Sequence, residues 1–213
     1  KMIWKKYGHI WSAKSKLPWG RMATLTPAPL IIKKGQIRVY CAMRDIKGIG
    51  RLGFFDVDEK NPKKILGFSK KPILDLGLPG AFDDNGMLLG DVIKVKNEIR
   101  IYYAGFQLSK KAKFLAYGGL AISKNGKKFK RYSSSPIIDR DDNGLYIRVI
   151  HGIKQIKKNK FQAWISEGSG WKKIKKKLFP KYSISTIYSR DGINFRKNGS
   201  KKINLAKRGE YRI

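Results

Sequence analysis

The chain has 213 residues, 41% of them hydrophobic and 12% aromatic, which excludes a disordered protein and allows a sizeable buried core. Lys and Arg number 48 against 15 Asp and Glu, a formal net charge of +33 that would attract anionic partners, although lysines scattered over hairpin tips explain it equally well. Because Cys41 is the single cysteine, an intramolecular disulfide and a cysteine-based zinc site are excluded.

The first predicted element is a β-hairpin, "LIIKKGQIRVYCA", in which a glycine-containing tip separates two apolar strands. Three hairpins with this order of strand, tip and strand are predicted, at residues 30–42, 91–104 and 152–166. The aromatic residues near the ends of their second strands, Tyr40, Tyr102 and Trp164, are spaced 62 residues apart in both intervals. A fixed period of this length indicates a repeat architecture.

A further strand follows each hairpin, at residues 51–58, 116–126 and 183–192. The last two strands end in Asn125-Gly126 and Asp191-Gly192, dipeptides that are typical of tight turns. Each turn therefore leads into an outer strand. Four short strands per repeat, without helical periodicity, predict the blades of an all-β propeller, with a β-sandwich as the alternative.

Three blade units are expected, at about residues 25–85, 86–147 and 148–205, within one partial propeller over residues 1–213. Consecutive apolar residues, as in "IRIYYAGF", suit sheets that are buried on both faces. Since the next inner hairpin would place its aromatic residue near position 226, we expect the chain to be truncated or incomplete, ending at the start of a fourth blade.

Several strings resemble the five-bladed β-propeller proteins related to glycoside hydrolases, which include arabinanases, invertases, levansucrases and mannosyl-glycan phosphorylases. They are "CAMRDIKGIGRLGFFDVDEKNPKKIL", "PILDLGLPGAFDDNG", "GGLAISKNGKKFKRYSSSPIIDR", "FQAWISEGSGW" and "STIYSRDGINF". The match is nearer to a branch of predicted glycosidases associated with bacterial surface-polysaccharide gene clusters. The resemblance implies a five-bladed propeller whose axial funnel binds a sugar through aromatic residues and cleaves or transfers it through carboxylates.

The stretch "GAFDDNGMLLGD" supplies three candidate catalytic carboxylates, Asp83, Asp84 and Asp91, at the predicted start of the second innermost strand. A turn in which the Asp side chains bond their own backbone is an equally good interpretation of the Asp83-Asp84 pair. A cation site ranks third, because calcium asks for more oxygen ligands than two or three acids offer. No metal and no cofactor are predicted.

The other candidates flank the third hairpin. His151, at the start of its first strand, and Glu167, just beyond it, are alternative proton donors. Arg148, Arg44 and Trp171 are candidate substrate-binding residues, although Arg44 adjoins Asp45 and an ion pair between those two is favoured. Glu210, in the terminal "GEYRI", resembles the glutamate that opens the next blade in the related branch.

The sequence thus predicts a carbohydrate-active, glycosidase-like domain that binds or cleaves a bacterial surface glycan or its precursor. The alternative is a non-catalytic propeller whose basic rim attracts an anionic glycan, another anionic polymer or a protein. Nucleic acid is disfavoured as a partner, because arginines and aromatic residues do not cluster on one element. The N-terminal "KMIWKKYGHIW" has no apolar run of signal-peptide length, and no long apolar run follows, so a soluble cytoplasmic protein is expected.

Overall fold

The computed structural model describes residues 4–13, 17–195 and 201–203. These residues form twelve β-strands and one short 3₁₀ helix, Pro18–Gly20, and no α-helix. The strands are β1 (Ala23–Lys33), β2 (Gln36–Arg44), β3 (Gly50–Asp58), β4 (Ile65–Phe68), β5 (Met87–Val95), β6 (Glu98–Gln107), β7 (Leu115–Ser123), β8 (Lys130–Arg131), β9 (Ile147–Lys157), β10 (Lys160–Ile174), β11 (Lys177–Ser189) and β12 (Lys201–Ile203).

The strands fall into three sets of four, and within each set consecutive strands pair antiparallel. β1 to β4 form one sheet, whereas the other two sets share a sheet because β7 also pairs parallel with β9 at Ala116 and Tyr117. The sheets do not close on themselves within the described residues. The predicted all-β fold is confirmed, while the five-blade count, the unit boundaries and the truncation stay predictions.

The three aromatic residues that revealed the repeat occupy one register position in their hairpins. Tyr40 pairs with Ala28, Tyr102 with Asp91, and Trp164 with Gly152, in each case on the first strand of a set. The spacing of 62 residues in the sequence is therefore the distance along the chain from one hairpin to the same register position in the next. Tyr40 and Tyr102 are fully buried.

The first strand of each set, β1, β5 or β9, carries a β-bulge immediately before this position. The extra residue is Gly90 in β5 and His151 in β9, while Thr26 and Pro27 form the bulge in β1. A bulge bends its strand and redirects a side chain, and bulges are common beside functional sites. Thr26 has a φ of 48°, an unusual value for a β-branched residue.

Tyrosine hydroxyls link the first set of strands to a turn of the second set, and the second set to a turn of the third. Tyr40 donates to the carbonyl of Gly126, and Tyr102 donates to the carbonyl of Gly192, both at 2.9 Å. Both glycines have positive φ, 68° and 73°, as tight turns of this kind require. The repeated turn sequence is thus the partner of the repeated aromatic residue, which explains why both recur.

Candidate functional site

An open cavity of about 320 Å³ lies where the inner strands β1, β5 and β9 come together. Its wall is mostly apolar and includes the aromatic rings of Phe106 and Phe114. Its polar lining residues are Thr26, Arg44, His151, Ser166 and Tyr182. A concave, largely apolar site with a few convergent polar groups is the usual form of a small-molecule site.

The bulge in β9 directs His151 into this cavity. Its Nε2 atom lies 2.8 Å from the hydroxyl of Ser166, which is on the neighbouring strand β10. Desolvation lowers the pKa of His151 below its ordinary value of 6.5, which favours the neutral imidazole. A neutral imidazole and a hydroxyl can each donate or accept a hydrogen bond with a sugar hydroxyl.

Arg44 reaches the cavity from the end of β2 and is only partly exposed. Within the described residues its guanidinium makes no hydrogen bond or ion pair. The expected pair with Asp45 does not form, because Asp45 bonds Arg51 at 2.9 Å and also accepts from the amides of Lys47 and Ile49. Since no described residue pairs with its guanidinium, Arg44 can bind a ligand in the cavity.

Trp171 lies behind the cavity wall and does not line it. Its ring packs edge-on against Phe114, with centroids 5.2 Å apart, and against Tyr146 at 5.9 Å. Phe114 in turn packs edge-on against Phe106 at 5.4 Å. Trp171 thus supports the aromatic wall, while Phe106 and Phe114 present their surfaces to the cavity.

The Asp83-Asp84 pair lies outside the cavity lining. Asp83 is fully buried, where it accepts a hydrogen bond from the hydroxyl of Tyr103 at 3.0 Å and pairs with Arg131 at 2.8 Å. Asp84 accepts from the backbone amide of Gly80 at 2.8 Å, as the turn interpretation expects. The catalytic role predicted for these two residues stays a prediction.

Asp91 joins two inner strands and also lies outside the cavity lining. One carboxylate oxygen accepts from the amide of Ile153 on β9, and the other accepts from the amide of Val92, both at 2.8 Å. Burial raises the pKa of Asp91, although these two backbone hydrogen bonds oppose the shift. The side chain of Asp91 therefore links β5 to β9 through a hydrogen bond.

Glu167 and Arg148 are buried together and do not line the cavity. Arg148 lies 3.2 Å from Glu167 and 2.9 Å from Asp141, and it donates to the carbonyl of Asp139 at 2.9 Å. Sequence reasoning missed Asp141. The Asp-Asp-Asn-Gly sequence of residues 83–86 recurs at 141–144, and in both copies the first Asp pairs with an arginine; that repetition could have revealed it.

No Asp or Glu lines the cavity among the residues that the structure describes. Glu210 lies outside the described residues, so its predicted role is not tested. Over the described parts of the chain, no group of three or more His, Cys, Asp and Glu side chains could hold a metal ion. The same parts contain no helix that is long and apolar enough to cross a membrane.

No protein-family model matches the chain. Two uncharacterised proteins from different strains of Mycobacterium tuberculosis are each 28% identical to it over 196 residues, which cover 92% of this chain. The chain spans 64% of the length of these curated relatives.

Three solved structures resemble the chain at low sequence identity. A glycoside hydrolase matches with a TM-score of 0.66 and 15% identity, covering 93% of this chain and 61% of its own. A family 117 glycoside hydrolase of Zobellia galactanivorans gives 0.65 and 17%, covering 94% and 53%. The sucrose-6-phosphate hydrolase of Lactobacillus gasseri gives 0.60 and 14%, covering 85% and 35%. The chain therefore has the propeller-type fold found in glycoside hydrolases.

Proposed function

We propose that the chain belongs to a carbohydrate-active, glycosidase-like protein and that its axial cavity binds one sugar unit of a bacterial surface glycan or of its precursor. The observation that supports this function best is the position and chemistry of the cavity. It lies where the bulged inner strands meet, and it combines an aromatic wall with the neutral hydrogen-bonding pair of His151 and Ser166.

The aromatic wall suits a sugar because one face of a pyranose ring is lined by C–H groups. Phe106 and Phe114 offer apolar surface to such a face, and Trp171 holds Phe114 in place from behind. The Ser166 hydroxyl and the His151 imidazole, which also line the cavity, would then bond the sugar hydroxyls. Solved structures with the same fold include glycoside hydrolases, which agrees with a carbohydrate ligand.

The arrangement of the acidic residues favours binding by this chain over cleavage by two carboxylates. Glycosidic cleavage generally uses two carboxyl groups on either side of the bond. Asp83 and Glu167 are buried in ion pairs, and Asp91 accepts two backbone hydrogen bonds, so these three carboxylates are engaged within the protein. We therefore assign sugar binding, rather than hydrolysis, to the described residues.

The test is binding of the purified chain to an array of bacterial surface glycans, with two cavity variants. Phe114→Ala removes part of the aromatic wall, and His151→Gln replaces the imidazole by an amide. Tyr132→Ala, which truncates an exposed aromatic residue outside the cavity, is the matched control. Circular dichroism verifies that every variant is folded.

We expect each cavity variant to weaken the bound glycan signal by about threefold to tenfold, the value of one lost polar or packing contact, and the control to bind like wild type. If no glycan binds, or if both cavity variants bind as tightly as the control, the proposal is wrong. A steep loss of binding with added salt in wild type and variants alike would instead indicate non-specific attraction of polyanions.

A further inference from the structure

Arg44 differs from the other buried or partly buried arginines that the structure describes. In each of the others, a guanidinium nitrogen lies within 3.2 Å of a carboxylate oxygen. These arginines are Arg38, Arg51, Arg100, Arg131 and Arg148. Arg44 is partly buried in the cavity wall, yet its guanidinium has no partner among the described residues. Among the described residues, the other buried guanidinium charges are therefore each balanced by a carboxylate, whereas that of Arg44 is not.

The described lining of the cavity supplies no negative charge to balance Arg44. Among the described residues that line the cavity, Arg44 is the only Lys or Arg, and none is an Asp or Glu. The adjoining Asp45 is held by Arg51 and by two backbone amides. A guanidinium that has lost part of its hydration without gaining an anion is poorly stabilised, and an anionic ligand would correct this.

We infer that the cavity selects a sugar that carries an acidic group, a carboxylate or a phosphate, and that Arg44 binds this group. The planar guanidinium presents paired N–H donors that match the two oxygens of a carboxylate or of a phosphate, whereas a lysine would act as a point charge. His151 and Ser166 remain available for the sugar hydroxyls. The inference rests on the proposed sugar binding and adds the chemical class of the sugar.

The overall charge of the chain acts in the same direction. A formal net charge of +33 raises the local concentration of anionic glycans around the protein. Long-range attraction of this kind does not depend on any single arginine, whereas a direct contact to Arg44 does. The two effects can therefore be separated by comparing variants that have the same net charge.

The experiment measures binding of the purified chain, in 0.15 M salt, to arrays that display neutral, uronate-containing and phosphate-containing glycans at equal density. Arg44→Gln removes the cavity guanidinium, and Arg44→Lys keeps the charge but loses the planar fork. Arg190→Gln is the matched control, because it removes one positive charge from an exposed arginine outside the cavity. The uronate and phosphate arms distinguish the two sources of the acidic group.

We expect wild type and Arg190→Gln to prefer one acidic class over the neutral glycans, and Arg44→Gln to lose that preference by about tenfold or more, the value of one charge-assisted hydrogen-bonded pair. Arg44→Lys should recover only part of it. Equal binding of neutral and acidic glycans by wild type, or equal losses in Arg44→Gln and Arg190→Gln, overturns this inference and leaves the proposed sugar binding intact. Absence of binding to any glycan overturns both.

Discussion

The two tyrosines that link neighbouring sets of strands provide a matched pair for measuring that linkage. Tyr102→Phe removes the only side-chain donor to the buried carbonyl of Gly192 among the described residues. Tyr40→Phe removes an equivalent donor to Gly126, but that carbonyl keeps a second hydrogen bond, from Arg38 at 3.0 Å. The two substitutions delete the same atom from the same register position and differ in whether the acceptor retains a partner.

The expected magnitudes follow from that difference. A buried acceptor left without a partner costs about 1–3 kcal/mol, whereas loss of a hydrogen bond to an acceptor that keeps another costs about 0.5–1.5 kcal/mol. Tyr102→Phe should therefore lower the free energy of unfolding by about 1 kcal/mol more than Tyr40→Phe, which for a chain of this length is a further fall of about 2–4 °C in the melting temperature. Burial raises the pKa of each phenol to about 12, so both hydroxyls are protonated and able to donate at neutral pH.

Urea unfolding followed by tryptophan fluorescence measures this difference, with circular dichroism as a second probe. The denaturant slope should be the same in both variants, because neither substitution changes the surface exposed on unfolding. If the two variants lose equal stability, or if Tyr40→Phe loses more, the reasoning from acceptor satisfaction is refuted.

Three further predictions concern the site and its supports. Gly90→Ala should lower the melting temperature by several degrees and abolish glycan binding, because the added methyl group would collide with a backbone carbonyl of β9. Gly67→Ala is the control: its methyl group would contact no other atom of the described residues, so binding in the same assay should be unchanged. Arg131→Gln should lower the free energy of unfolding in urea by about 3–5 kcal/mol, because the buried Asp83 carboxylate loses its cationic partner and keeps only the Tyr103 hydroxyl. The double variant with Asp83→Asn should recover part of the loss, and no recovery would contradict a direct pair. The pKa of His151 is lowered in the folded state, so the unfolded chain binds a proton at this residue first as the pH falls. The free energy of unfolding should therefore decrease as the pH falls through about 6.5. His151→Gln should show a smaller decrease between about pH 7.5 and pH 5, and equal decreases in both proteins would contradict the assignment.

Local features of the sequence were sufficient to predict the repeated hairpins. The hairpins have aromatic residues at a constant spacing and alternate apolar strands with tips of turn-forming residues, Lys34-Gly35, Lys96-Asn97 and Lys158-Asn159. These features depend on the conformational preferences of individual residues and on contacts within a hairpin. The register of Tyr40, Tyr102 and Trp164 agrees with this spacing. The turn sequences at 123–126 and 189–192 were likewise recognisable, because tight turns restrict which residues can occupy them.

The sequence could not determine which charged residues would pair with one another. Asp83 and Arg131 are far apart in the chain, and their ion pair forms only because the second set of strands folds the outer strand back against the loop before it. Asp45 adjoins Arg44 but bonds Arg51 instead. Adjacent residues in an extended segment point in opposite directions, so proximity in sequence was a poor guide to pairing.

The sequence by itself therefore determined the strands, their repeat and the type of fold, since these depend on short-range periodicity and turn chemistry. Only the tertiary structure decided which residues form the cavity. The bulges at Gly90 and His151, invisible to a pattern with a period of two, turn His151 into the cavity, while Asp91 is used to join two strands. Long-range packing thus placed Arg44, rather than a carboxylate, as the charged residue among the described residues that line the cavity.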